Sequence, residues 1–199
     1  MNLHPCPPIA AAMAVAAIAL DGRDATSAAE RALDKSVTVE ATPEQVWAAL
    51  TTREGIVSFF VPEARIEPRP GGLFEIHIDP AAAPGLRGAD DTRFLALQAL
   101  SMLSSTWTAP PSLPEARPQR AVVIVRIAPA EGGGSRVTLH HTGWGDGGEW
   151  DRTFNYFDRA WGNVLANLQQ RFDQGPVDWA PWLKQLEGMR SRRTAPPRP

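Results

Sequence analysis

The residues of this chain best suited to chemistry are its histidines and a few carboxylates. His140 and His141 are adjacent, so on a strand their side chains point to opposite faces and cannot easily chelate one metal together. His141 shares strand parity with Val137 and Leu139, which indicates that its side chain points into the domain, toward the ligand cavity predicted below. There it could serve as a polar anchor or as an acid–base group for a bound ligand. A histidine hydrogen-bonded within the core would produce the same pattern.

The other polar groups have structural explanations. His77 and Glu75 lie opposite Phe74 in strand parity, which predicts a solvated sheet face, although the two could form a polar site. Negative charge before and within the first turn of a helix complements its dipole, which accounts for Asp146, Glu149 and Asp151. The sequence contains no glycine-rich phosphate loop, nucleophile elbow or recognisable set of zinc ligands. It therefore gives no basis for assigning a cofactor, a metal or a catalytic residue.

Large aromatic residues mark the helix that would position such a site. Apolar side chains recur there at spacings of three and four, which places them on one helix face. This stripe consists of Trp150, Phe154, Phe157, Trp161, Leu165, Leu168 and Phe172. It has too many rings for the seam of a helix bundle and predicts one wall of a wide apolar cavity. Seven tryptophans and a single tyrosine favour an apolar guest. Alternatively, the rings pack on one another and leave no usable cavity.

The rest of the domain is predicted to form strands and two short helices. A half-buried strand at residues 35–41 precedes a helix that Thr42 caps and Pro43 begins, and a second short helix spans residues 53–59. Turns rich in Pro and Gly separate six further strands, at about 64–68, 73–78, 93–99, 102–108, 120–128 and 136–142. This order predicts an α+β domain in which an antiparallel sheet covers the long helix.

Four segments in register resemble the START-like SRPBCC superfamily, in the AHSA branch named after an activator of a heat-shock-protein ATPase. The first is ATPEQVWAALT at residues 41–51. The others are residues 59–62 with 69–72, residues 103–107, and residues 136–143 with 161–165. The resemblance covers about residues 33–175. Phe59 stands where the family often has Trp, and Trp161-Gly162 reverses the usual order, which should alter the shape of the pocket more than the fold.

The resemblance implies a helix-grip fold, with a seven-stranded antiparallel sheet wrapped around the C-terminal helix and two short helices after the first strand. Such a fold carries unrelated functions, and the aromatic residues favour binding over catalysis. We expect a small hydrophobic molecule in a cavity between sheet and helix. The predicted lining residues are Phe60, Phe74, Trp107, His141, Trp144, Phe154, Phe157 and Trp161. Two alternatives remain open: a cyclase- or hydrolase-like enzyme that uses His141, and a co-chaperone-like module that binds a protein partner.

The chain on either side of residues 30–175 is predicted to lie outside this domain. Residues 9–20 form an apolar run of signal-peptide length, although neither Lys nor Arg precedes it. We therefore predict that residues 1–29 are a signal peptide, which would make the protein periplasmic or secreted, or a disordered extension, which would leave it cytoplasmic. The only cysteine, Cys6, lies in this segment, so an exported mature chain would contain no thiol. The tail, residues 176–199, is predicted to dock in part and to be disordered past Met189. The docking residues would be Trp179, Trp182, Leu183 and Leu186.

Charge and hydropathy exclude two classes of partner. The net charge of −2 provides no electrostatic footprint for a nucleic acid. After the N-terminal segment, no stretch is long and apolar enough to span a membrane.

Overall fold

The computed structural model of the chain describes residues 30–194. The predicted signal segment, with Cys6, lies outside this part, as do the last five residues of the tail. Export of the protein therefore stays a prediction. Within the described residues, none of the helices combines the length and hydropathy needed to cross a membrane.

Residues 30–194 form eight strands and four helices. In chain order they are β1 (Leu33–Val39), α1 (Pro43–Thr51), α2 (Arg53–Val57), β2 (Glu63–Ile66), β3 (Phe74–His77), β4 (Gly88–Ala89), β5 (Phe94–Gln98), β6 (Met102–Trp107), β7 (Ala121–Pro129), β8 (Ser135–Thr142), α3 (Gly148–Gln174) and α4 (Ala180–Thr194). The α+β class and the long C-terminal helix of the helix-grip fold are confirmed.

The strands form two antiparallel sheets rather than the single seven-stranded sheet predicted. One sheet has five strands in the order β1-β8-β7-β6-β5, and the other has three in the order β2-β3-β4. A backbone bridge between Leu73 and Arg93 connects them. The additional strand, β4, contains Gly88 and lies between the predicted strands at 73–78 and 93–99, where the sequence analysis expects a turn rich in Pro and Gly. Gly88 instead allows close approach to β3, since a Cβ there would lie 2.2 Å from the Ile76 carbonyl oxygen.

Helix α1 begins as the sequence predicts. The hydroxyl of Thr42 accepts a hydrogen bond from the Gln45 N–H, and the Gln45 side chain accepts one in return from the Thr42 N–H. This reciprocal arrangement is a capping box, which satisfies two N–H groups that the helix itself leaves unpaired.

Helix α3 buries most of its aromatic stripe against the five-stranded sheet. Phe157, Trp161, Leu165 and Leu168 are buried in the main core. Trp150 belongs to a separate small cluster, which it forms with Ala109, Leu113 and Ala116. The strand parity is as predicted, because alternate residues of β6 and β8 are buried on the side facing α3. These residues are Leu103, Ser105 and Trp107 of β6 and Val137, Leu139 and His141 of β8.

The tail forms the helix α4, and two tryptophan residues of the tail contact the domain. The indole N–H groups of Trp179 and Trp182 donate to the backbone carbonyls of Val57 and Ile78, at 2.6 and 3.0 Å. Helix α4 then continues to Thr194, so the prediction of disorder past Met189 does not hold for residues 190–194. An ion pair between Arg190 and Asp79, at 2.5 Å, holds this last part against the domain.

The predicted solvated face at Glu75 and His77 is wrong, because both side chains are buried. Glu75 lies 3.2 Å from the Arg65 guanidinium and accepts a hydrogen bond from the Asp91 N–H, while His77 Nδ1 lies 3.0 Å from the Glu63 carboxylate. Polar residues tolerate burial when they are paired in this way. Strand alternation gives no indication of such pairing, because the partners lie on other strands and loops.

Candidate ligand-binding site

The structure contains a cavity of about 250 Å³ between helix α3 and the three-stranded sheet. Its inner wall is almost entirely apolar and consists of Phe60, Val61, Ile76, Trp107, Tyr156, Phe157, Ala160, Trp161 and Val164. Ile78 and Leu86 also line it, and both are exposed, so they form its rim toward solvent. Pro110 and Pro111 continue this rim. Cavities with such linings are typical of sites for small apolar molecules.

The cavity lies beside the predicted position rather than in it. Between α3 and the five-stranded sheet there remains only a void of about 30 Å³, close to the volume of one water molecule. This interface is closed because its rings pack on one another, with 5.0 Å between the ring centroids of Trp107 and Trp161 and 5.8 Å between those of Phe157 and Trp161. The space that remains is toward β3 and β4.

The eight residues predicted to line the site fall into two groups. The first group lines the cavity and consists of Phe60, Trp107, Phe157 and Trp161. The second group does not line it and consists of Phe74, His141, Trp144 and Phe154. Phe74 faces only the small void. His141 and Trp144 pack behind Phe157, and the Arg31 guanidinium lies over the Phe154 ring, 4.0 Å from its centroid.

His141 is a buried, neutral member of the aromatic core. The Trp161 indole N–H donates to His141 Nδ1 at 2.9 Å, so the imidazole proton resides on Nε2. Burial, with a smaller effect from neighbouring His140, lowers the pKa of His141 to about 3. A group with this pKa is a weak base at neutral pH, and it does not line the cavity. The structure therefore favours the predicted alternative of a hydrogen-bonded core histidine.

The burial of His141 should make the protein acid-sensitive. The folded pKa of about 3 lies below the ordinary value, so the unfolded chain binds more protons between these two pH values. The resulting stabilisation is complete above about pH 6.5 and falls by about 1.4 kcal/mol per pH unit below it. Urea unfolding at pH 7 and pH 5 should show a loss of about 2 kcal/mol that His141→Gln removes. His140→Gln, which changes a half-exposed side chain, should leave that loss in place. An equal loss in all three proteins would contradict this assignment.

Arg117, which the sequence analysis did not single out, connects two loops at the cavity rim. One loop carries Gly85 and Gly88, and the other carries Ala109. The Arg117 guanidinium donates to the carbonyl oxygens of these three residues, and it lies 3.4 Å from the Asp90 carboxylate. The fixed fork of an arginine suits several oxygens at once. We refer to Arg117 with these four partners as the Arg117 clamp.

Asp90 is held in its charged form within the clamp. Burial acts to raise the pKa of this carboxyl. Hydrogen bonds from the Arg87 side chain and from the backbone N–H groups of Gly85, Gly88 and Arg87 outweigh burial, so the pKa is lowered. The loop that carries Leu86 is therefore held on both sides of this residue, because the N–H groups of Gly85 and Gly88 both donate to Asp90.

Glu149 has a role beyond the helix dipole. Its carboxylate is buried and accepts hydrogen bonds from the N–H groups of Glu115 and Ala116, at 2.7 and 3.0 Å. It therefore anchors the loop beyond Pro111 to the start of α3. Asp151 instead pairs with Arg31 at 2.5 Å.

Tyr156 is a polar residue of the cavity wall that the sequence analysis missed. It precedes Phe157 on α3 and so lies at the edge of the aromatic stripe. Burial raises the pKa of its phenol, which stays uncharged at neutral pH. Its hydroxyl has no hydrogen-bond partner in the described part of the chain.

Comparison with known proteins agrees with this architecture. The family model described as activator of Hsp90 ATPase homolog 1-like protein matches residues 40–173. The chain belongs to this AHSA1 family. Residues 174–194, which include the whole of α4, lie beyond the matched part. No curated protein sequence matches the chain.

Several solved structures share this fold. Protein MLL2253 from Mesorhizobium loti is 22% identical with a TM-score of 0.59, and the match covers 74% of this chain and all of that one. The Aha1 dimer from Colwellia psychrerythraea is 14% identical with a TM-score of 0.56, over 73% and 98% of the two chains. CalU16 from Micromonospora echinospora is 19% identical with a TM-score of 0.55, over 82% and 86%. At these identities the likeness establishes the START-like fold alone.

Proposed function

We propose that this protein binds a small, mainly apolar molecule in the cavity beside α3. The observation that carries the proposal is an apolar space of about 250 Å³ with an aromatic wall and a rim open to solvent. An apolar cavity of about 150 Å³ accommodates benzene in another protein. The space here therefore suits a guest somewhat larger than one aromatic ring.

The charges near the rim support an uncharged guest. The carboxylate of Asp79 pairs with Arg190 at 2.5 Å, and the guanidinium of Arg87 pairs with Asp90 at 2.9 Å. A charged ligand would have to give up its hydration in an apolar wall whose nearest ionic groups already have partners. Binding would instead rest on the burial of apolar surface and on contacts with rings.

The alternative of an enzyme based on His141 has less support. Its ring does not line the cavity, Nδ1 is occupied by the Trp161 N–H, and its pKa is about 3. A general base should have a pKa near the operating pH and reach its substrate. The protein-interaction alternative stays a prediction that no particular surface of the described residues favours.

Filling the cavity should abolish binding of an apolar probe. N-phenyl-1-naphthylamine, whose emission rises in apolar surroundings, should bind the wild-type protein saturably and quench tryptophan emission. Ala160→Phe places a phenyl ring in the cavity wall and should weaken binding about tenfold or more, because a filled site cannot take the guest without repacking.

Ala166→Phe is the matched control, because Ala166 lies on the same helix and is exposed. It should bind the probe as the wild type does, and circular dichroism should show that both variants are folded. Equal affinity in all three proteins would place the probe elsewhere, and absence of saturable binding to the wild type would overturn the proposed function.

A further inference from the structure

The loop between β3 and β4 exposes apolar residues to solvent. Its sequence over residues 79–87 is DPAAAPGLR, so a charged side chain stands only at each end. Both of these charges already have partners. Asp79 pairs with Arg190, and Arg87 pairs with Asp90. The exposed residues between the two ends are Ala81, Ala83, Pro84, Gly85 and Leu86.

Large exposed apolar side chains are concentrated around this loop. Of the five in the described part of the chain, three are Ile78, Leu86 and Leu183. Ile78 and Leu86 lie at the rim of the 250 Å³ cavity, and Leu183 of α4 lines a shallow groove together with Pro80. We refer to Ile78, Leu183 and residues 80–86 as the apolar rim surface. A contiguous exposed apolar surface of this kind marks a site of interaction with a protein or a membrane.

Positive charge is in excess around the apolar rim surface. Five cationic and four acidic side chains line the cavity mouth, the groove beside α4 and the depression that Leu86 shares with Pro111. They are Arg87, Arg117, Arg120, Lys184 and Arg190, and Asp79, Asp90, Asp91 and Glu187. Beyond Arg190 the sequence adds three arginines and no acidic side chain, whereas residues 30–175 carry fourteen cationic and eighteen acidic side chains. The cations of a mainly acidic chain are thus concentrated at α4 and at the surface that α4 contacts.

We propose that the apolar rim surface docks onto a lipid bilayer with anionic headgroups. The side chains of Ile78, Leu86 and Leu183 enter the boundary between headgroups and acyl chains, and the neighbouring cations attract the headgroup phosphates. A protein partner is less favoured, because the exposed residues are Ala, Pro, Gly and aliphatic residues rather than the Tyr, Trp and Met that are enriched in protein interfaces. The docking goes beyond the proposed function, and it turns the cavity mouth toward lipid, where an apolar guest is most soluble.

Flotation of the full-length protein with lipid vesicles tests the docking. Vesicles of phosphatidylcholine and phosphatidylglycerol in a ratio of about 3:1 present an anionic surface, and vesicles of phosphatidylcholine alone present a neutral one. The protein should float with the anionic vesicles and should bind the neutral ones at least about tenfold more weakly. At about 1 M salt, where the Debye length falls to about 3 Å, this difference should disappear. Equal binding to both lipids at low salt, or binding to neither, would overturn the inference.

Leu86→Ser tests the apolar part of the surface. It should weaken binding to the anionic vesicles about threefold to tenfold, because part of the free energy of burying one leucine is lost. Leu95→Ser is the matched control, since Leu95 is 46% exposed against 51% for Leu86 and lines neither the cavity nor the neighbouring depressions. It should bind the vesicles as the wild type does. Equal binding by the two variants would contradict the proposed surface.

Lys184→Glu/Arg192→Glu tests the cationic part. Both residues are exposed on α4, and reversing their charges should weaken binding to the anionic vesicles about tenfold or more. Arg126→Glu/Arg136→Glu makes the same change in net charge at exposed positions of β7 and β8 and should bind nearly as the wild type does. Equal losses would assign the attraction to net charge rather than to α4 and would overturn the inference. Circular dichroism should show that all variants are folded.

The remaining outcomes separate this inference from the proposed function. N-phenyl-1-naphthylamine should bind Lys184→Glu/Arg192→Glu as it binds the wild type, because neither residue lines the cavity. If the apolar run at residues 9–20 were what binds lipid, every variant would float as the wild type does, and the inference would be overturned. Failure to bind vesicles while the probe binds would reject the docking and leave the proposed function intact. Failure of the probe alone would reject the proposed function and leave the docking, which requires no guest.

Discussion

Trp161→Ala should lower the free energy of unfolding by about 3–5 kcal/mol, the largest effect expected of any single substitution here. Trp161 is 3% exposed, and its ring contacts those of Phe60, Trp107 and Phe157. Truncation removes these contacts from the point where α3, the sheet and the cavity meet, and it leaves His141 Nδ1 without its donor. Urea unfolding followed by circular dichroism measures the loss.

Trp161→Phe separates packing from hydrogen bonding at this position. It keeps a ring but removes the donor to His141, so it should cost about 1–3 kcal/mol, as expected for one buried acceptor left unsatisfied. If the alanine variant lost less than the phenylalanine variant, Trp161 would not be the packing centre that the structure indicates.

Arg117→Ala should cost about 2–3 kcal/mol and should also loosen the cavity rim. The Arg117 side chain is 14% exposed, and its removal leaves the carbonyl oxygens of Ala109, Gly85 and Gly88 without their donor. Ala109 and Gly88 are buried residues, and two buried carbonyl oxygens that lose a partner account for a loss of this size, whereas Gly85 is exposed. Since the Arg117 clamp fixes the loop that carries Leu86, the probe should dissociate faster from the variant. Unfolding curves and stopped-flow displacement measure the two effects.

Arg120→Ala is the matched control for the clamp, because Arg120 lies three residues away and is exposed. It should change stability by no more than about 0.5 kcal/mol. Arg117→Lys retains the charge but not the planar guanidinium group. Its free energy of unfolding should therefore lie between those of Arg117→Ala and Arg120→Ala. A lysine variant as stable as the wild type would show that charge rather than geometry holds the loops.

Periodicity explains which parts of the fold were predictable. The three- and four-residue spacing of Phe157, Trp161 and Leu165 identified α3 and its buried face, and strand parity placed Trp107 and His141 on the side facing it. These patterns are local, and each repeats several times within one element. They report which side of an element is buried but not how tightly the opposing surfaces close.

The position of the cavity depends on contacts that leave no such pattern. It opens toward β4 and two proline-rich loops, and Gly88 takes part in β4 because it lacks a Cβ. Arg117 and Glu149 act on backbone carbonyl and N–H groups, which every loop possesses, so no residue type marks the partner. The burial of His77 was missed for the same reason, because Glu63 pairs with it from a neighbouring strand.

The tail helix α4 is attached to residues that line the rim of the cavity. The Ile78 carbonyl that accepts the Trp182 N–H belongs to a residue of the cavity rim, and Asp79, which pairs with Arg190, also lines the cavity. A guest that shifts this segment must therefore change the free energy with which α4 is held. By thermodynamic reciprocity, whatever draws α4 away from the domain changes the affinity for that guest by the same factor. If the proposed guest binds, the contacts of α4 with Ile78 and Asp79 would therefore act on its affinity as a second ligand bound at the rim would.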